Sequence, residues 1–183
     1  MMSRRIMSGA LCVSVILLWS PIGLSQQAST LLWEPSSGFK YMIPEGWTTA
    51  EFPGFKLKIS RGVPSSGYAP NIVVVDEAFD GSVEDYVTAC LGPMEKDDQG
   101  FKLLEKKPFN TDSGVKGIKL VFESKWDRKQ LVQTQYYFEG IKGKMLVITC
   151  SVLPEDGPKF SQIFDSAMKT FEIIEPPDGK PKN

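Results

Sequence analysis

The sequence predicts an α+β fold, a mostly antiparallel sheet with helices packed on it. Three observations carry that reading. Four segments between residues 102 and 152 alternate in polarity across hairpin-like breaks. Two stretches repeat apolar residues at helical spacing. The segment from Lys144 to Val152 is apolar on both faces, as suits a central strand covered above and below.

The chain opens with Arg4 and Arg5 and an apolar run from Ala10 to Leu24, broken by Ser14, Ser20 and Pro21. The run is too short and too interrupted to span a bilayer. Small residues at Gly23 and Ser25 suit a signal peptidase, so residues 1–25 read as a secretory signal cleaved near Ser25. The mature chain is then expected in the periplasm or outside the cell, with no transmembrane segment. Cys12 follows Leu11 near the start of the run, which argues against lipidation. The paired arginines resemble a twin-arginine motif, but Ser8 and Gly9 break the pattern, and the general secretory route is the expectation.

Residues 26–174 read as one domain. Its first strands are expected at Phe39 to Ile43, Phe55 to Ile59 and Ile72 to Val75. Ser82 and Asp85 form a helix cap signature. Val83, Tyr86, Val87, Cys90, Leu91 and Met94 continue it as one buried stripe, which Gly92-Pro93 should kink or shorten. Strands follow at Lys102 to Pro108, Gly114 to Ser124, Lys129 to Glu139 and Lys144 to Val152, a meander by proximity. Ile118, Leu120 and Phe122 share one face of the second; Val132, Thr134, Tyr136 and Phe138 share one face of the third. Phe160, Ile163, Phe164, Ala167, Met168 and Phe171 mark a second amphipathic helix. Residues 175–183, rich in proline and lysine, read as a disordered tail.

The full chain carries 21 basic and 22 acidic residues, and the signal removes only Arg4 and Arg5, so the mature domain stays mildly acidic. Nothing in that balance calls for nucleic acid; Lys102, Lys106 and Lys107 read as guards of a sheet edge. A domain of this size needs neither metal nor disulfide to fold. Cys90 and Cys150 remain after cleavage, and in an oxidising compartment an even pair invites a disulfide. That bond requires the first helix to cover the Cys150 face of its strand, and two separately buried thiols are the alternative.

The chain has no histidine, which removes the commonest general base and zinc ligand. Asp76, Glu77, Asp80, Glu84 and Asp85 are the densest acidic set, but their spacing is not that of a calcium loop, and a solvated lead into a helix accounts for them. Gly114, Gly117, Gly140 and Gly143 read as bulges and turns rather than a phosphate cradle. No catalytic, cofactor or metal residue is assigned. Trp126 and Arg128 sit at an expected hairpin tip, where they either offer a protein contact or fold back over the sheet edge. Trp33 and Trp47 read as core.

The order Gly38-Phe39-Lys40-Tyr41-Met42-Ile43-Pro44-Glu45-Gly46-Trp47, short strands, a helix opened by Ser82-Val83-Glu84-Asp85-Tyr86, a hairpin meander and a final amphipathic helix resembles the PsbP and DcrB-like superfamily. The resemblance covers about residues 33–174. It implies an α/β/α sandwich with a central, mostly antiparallel sheet flanked by helices. It further implies a protein that binds, assembles or assists other proteins, as photosystem accessory subunits and envelope lipoproteins do. The expectation is an exported, noncatalytic protein-binding domain with a partner in the bacterial envelope. The alternative is a small-molecule-binding or carboxylate-dependent hydrolytic domain with a cleft between sheet and helix, using carboxylates or Tyr136 and Tyr137.

Overall fold

The computed structural model describes residues 30–97 and 100–175. The expected signal and most of the tail lie outside the described residues. Strands β1 (Leu31–Glu34), β2 (Phe39–Met42), β3 (Thr48–Ala50), β4 (Ile59–Arg61) and β5 (Asn71–Ala78) precede helix α1 (Val83–Asp97). Strands β6 (Lys102–Asn110), β7 (Lys116–Trp126), β8 (Lys129–Glu139) and β9 (Lys144–Val152) follow. A 3-10 turn at Pro154–Asp156 leads into helix α2 (Gly157–Lys169), and β10 (Glu172–Ile173) ends the domain.

The large sheet runs β3-β4-β5-β9-β8-β7-β6, antiparallel at each pairing. Its centre is β9, the strand expected there from its two apolar faces. On one side it meets β5, with Ile72 opposite Cys150, and on the other β8, with Thr134 opposite Cys150. The meander stands as expected, with β6 at the edge carrying Lys102, Lys106 and Lys107. A Cβ on Gly117 would lie 2.2 Å from the Tyr137 carbonyl oxygen, so glycine is required where β7 starts along β8. The segment Phe39 to Ile43 does not join this sheet: β2 pairs with β1 and β10 in a second, three-stranded sheet. The stretch expected as a strand at Phe55 to Ile59 is mostly a loop, and the strand begins at Ile59.

The sheet divides the core in two. On one face Ile72, Val74, Tyr136, Phe138, Ile148 and Cys150 pack beneath α2 and the small sheet. Phe171 stacks between Phe138 and Phe39, with ring centroids 4.8 and 5.5 Å away, tying the end of α2 to both sheets. On the other face Ile118, Leu120, Phe122, Tyr137 and Met145 pack beneath Tyr86 and Val87 of α1. Ser82 caps α1 as expected. Its hydroxyl donates to Asp85 (2.7 Å), and the Asp85 N–H donates to the Ser82 hydroxyl (3.1 Å). Pro93 lies inside α1, which continues to Asp97 instead of ending there.

Strand parity corrects the cysteine expectation. Cys150 points to the α2 side, whereas Cys90 rides on α1 over the opposite face, so the sheet stands between them and both are free thiols. Trp47 meets the core, packing on Phe160 and Phe164, but Trp33 is 58% exposed and is not a core residue.

One charged group lies inside the α2 interface. Lys119 is 2% exposed on β7, and its ammonium donates to Asp165 of α2 at 2.6 Å; the Tyr136 hydroxyl donates to the same carboxylate oxygen at 2.5 Å. Burial and then the neighbouring thiol and carboxylate push the Tyr136 phenol far above its ordinary range, so it stays a donor. Removing one partner strands the other charge in the interface. Asp165→Ala should therefore lower unfolding free energy by about 3 kcal/mol in denaturant melts. Lys119→Met with Asp165→Leu should cost less than that single change. Nonreducing peptide mapping should find Cys90 and Cys150 unlinked.

Candidate functional site

Trp126 ends β7 and Lys129, its cross-strand partner, begins β8, leaving Asp127 and Arg128 as a two-residue turn. A type I′ turn needs left-handed backbone at both central residues, and Asp127 (φ 43°) and Arg128 (φ 65°) supply it without glycine. The Arg128 conformation carries local strain that Asn-Gly would not. Trp126 is 70% exposed, and Arg128 is exposed beside it. The tip expected from the sequence is therefore where the sequence puts it, and Trp126 does not bury itself over the sheet edge.

Behind the tip lies a trough of about 550 Å³. Its origin is incomplete cover. Helix α1 is about 22 Å long at 1.5 Å per residue and packs over β7, β8 and the Met145 end of β9, leaving the rest of that face open. The open part has an apolar floor of Ile59, Val73, Val75 and Leu131. Its lining also includes four aromatics, Phe52 and Phe55 from the β3–β4 connection, Tyr68, and Trp126. Val75, Phe52 and Phe55 are each at least 40% exposed, so this is an apolar surface held open to solvent.

A polar row crosses the floor. Arg61 of β4 is paired with Asn71 of β5, Asn71 with Ser151 of β9, and Ser151 with Gln133 of β8. Four strands at about 4.8 Å spacing make this row about 14 Å long. The Asn71 amide donates to the Tyr68 hydroxyl (3.0 Å) and the Ala69 carbonyl (3.1 Å), which holds Tyr68 against the floor. Arg61 lies against the Phe52 ring, 5.7 Å from its centroid. Sequence reasoning found Trp126 but none of these partners. The Phe52-Pro53-Gly54-Phe55 stretch, two aromatics around a breaker pair, was the available signal.

The remaining candidates have other work. Asp76 is held by the Lys56 and Lys144 ammoniums at 2.7 and 2.6 Å. Burial opposes ionisation of Asp76, but the hydrogen bonds from Lys144 and Lys56 outweigh it and keep the carboxyl below the usual range. Glu77 accepts from the Tyr86 hydroxyl at 2.5 Å, and Asp85 caps α1. Among the described residues no cluster of three or more metal-ligating side chains occurs. Tyr136 and Tyr137 fall on opposite faces of the sheet, both buried; Tyr137 donates to the Gln135 side chain. Neither reaches the trough.

Fold and site together define an α/β/α sandwich with one face of its large sheet partly open to solvent. Solved structures of the same fold include cyanobacterial PsbP (CyanoP) from Synechocystis, with a TM-score of 0.60, 14% identity and coverage of 86% of this chain and 99% of that one. LpqN of Mycobacterium tuberculosis, a protein involved in cell envelope biogenesis, aligns with a TM-score of 0.56 at 12% identity over 80% of this chain and 85% of its own. A protein of unknown function from Pseudomonas aeruginosa, PA94, reaches 23% identity and a TM-score of 0.55 over 72% of this chain and 99% of its own. At these identities the likeness is one of fold. No protein-family model matches the chain, and no curated protein does.

Arg128→Gly should raise unfolding free energy by about 1 kcal/mol, since glycine takes positive φ without a Cβ clash. Asp76 has a depressed folded pKa, so its stabilisation is present above the ordinary carboxylate range and is lost as pH falls through the folded value. Asp76→Asn should therefore destabilise at pH 7 and flatten the acid limb of a melting-temperature profile.

Proposed function

We propose that the protein is an exported, noncatalytic accessory domain of the bacterial envelope that works by binding, and that its Trp126–Arg128 hairpin contacts a protein partner. The observation that carries this reading is the 70% exposed Trp126 on a turn whose strained backbone holds tryptophan and arginine outward together. Tryptophan and arginine are the residue types that contribute most where proteins meet, because each offers large contact area with a directional donor. The absence of histidine and the structural employment of the carboxylates support binding over hydrolysis. The secretory signal read in residues 1–25 and the envelope role of LpqN support export. Among the described residues no helix is long and apolar enough to cross a membrane.

A photoreactive amino acid at position 128, introduced in the native cells, tests this. One protein adduct is expected at position 128 and none at Lys142, a remote turn of the same fold. Trp126→Ala should reduce that adduct severalfold while the melting temperature stays within about 2 °C, because an exposed side chain contributes little to folding. Absence of a protein adduct at position 128, or an adduct unaffected by Trp126→Ala, would overturn the hairpin reading.

A further inference from the structure

The trough behind the hairpin has the chemistry of a small-molecule site. Its volume of about 550 Å³ lies within the roughly 300–1,000 Å³ of pockets that hold drug-sized ligands, and its lining is mostly apolar and aromatic with a few placed polar groups. Arg61 is the only charged residue of that lining. No carboxylate lines the trough beside it, and among the described residues it forms no ion pair; the guanidinium lies over the face of Phe52. A guanidinium so placed keeps its in-plane donors for an incoming carboxylate, which matches their fork.

The polar row adds an independent sign. Ser151 is only 5% exposed and lines the trough, yet its hydroxyl makes no hydrogen bond to another described residue. Gln133, next in the row, also has a side chain without such a bond. Gln133 is half-buried, and the polar atoms of both side chains are reached by water in the trough, so their donors and acceptors are available to a guest molecule. A cationic guest finds no counter-charge in this lining, and a multiply charged phosphate finds a single arginine.

We propose that the trough binds a small organic carboxylate with an apolar body. The carboxylate pairs with Arg61, the body lies on Val73 and Val75 beneath Trp126, and Ser151 and Gln133 bond polar atoms along its edge. This goes beyond hairpin docking, since the occupant is a small molecule and the contacts are on the sheet floor.

Titration of the purified domain with 1-naphthylacetate, its neutral analogue 1-naphthylacetamide, and decanoate, followed by amide chemical shifts, tests it. At least one of the two acids should saturate, with the largest shifts on β4, β5, β8 and β9. If 1-naphthylacetate binds, it should bind about tenfold or more tightly than its amide. Arg61→Gln should bring acid binding down by about the same factor. Val75→Glu, at an exposed position, should weaken either acid while the fold persists. Lack of saturable shifts with both acids, shifts centred elsewhere, equal binding of 1-naphthylacetate and its amide, or an Arg61→Gln variant that binds acid as wild type would overturn the site. The adduct at position 128 is read separately, so failure of one proposal is distinguishable from failure of the other.

Discussion

A seven-stranded sheet has two faces, and this chain covers one of them far more completely than the other. Under α2 and the small sheet the apolar residues of β5, β8 and β9 disappear from water. On the reverse face α1 covers the meander end, and the rest is left to two loops and a hairpin. Burying apolar area is the main favourable term in folding, so leaving Val75, Phe52, Phe55 and Trp126 open sacrifices stability that a longer helix would have gained. That imbalance creates the trough, and the α2 side has to hold the fold while the other face stays open.

The covered face is pinned at two places by charge as well as by apolar packing. Lys119, Asp165 and Tyr136 fix the register of α2 across β7 and β8, and Asp76 with Lys56 and Lys144 ties the end of β5 to the neighbouring loop and β9. Buried charge is a poor source of net stability but a strong source of specificity where each group is paired. Here every member is paired, and the aromatic stack from Phe39 through Phe171 to Phe138 locks the small sheet to the same layer. The open face can therefore vary its side chains with little consequence for the layer beneath.

Much of this was legible in the residues, and the limits have physical causes. Strands β8 and β9 appear with their observed bounds because alternation and turn residues are local signals. The cysteine pairing was not legible, since it depends on which face each helix takes, a choice made by the whole topology rather than by either segment. Alternation puts Lys119 on the face opposite Ile118 and Leu120, and no local signal says that α2 covers that face and buries it. Trp33 looked like core because it is large and apolar, but β1 is an edge strand of the small sheet and turns it outward. Trp126 was visible at its turn, whereas the row from Arg61 to Gln133 spans four strands whose order, with β5 beside β9, no single segment encodes.

Both proposals require the uncovered half-face to be engaged in the cell. The direct measurement is maleimide labelling of a Val75→Cys variant, in a Cys90→Ser background, compared between purified protein and intact native cells. Fast labelling of the purified protein with strong protection in cells is the result expected if the trough is occupied there. Equal labelling in both settings, with the protein folded and reached by the reagent at a surface control position, would contradict it.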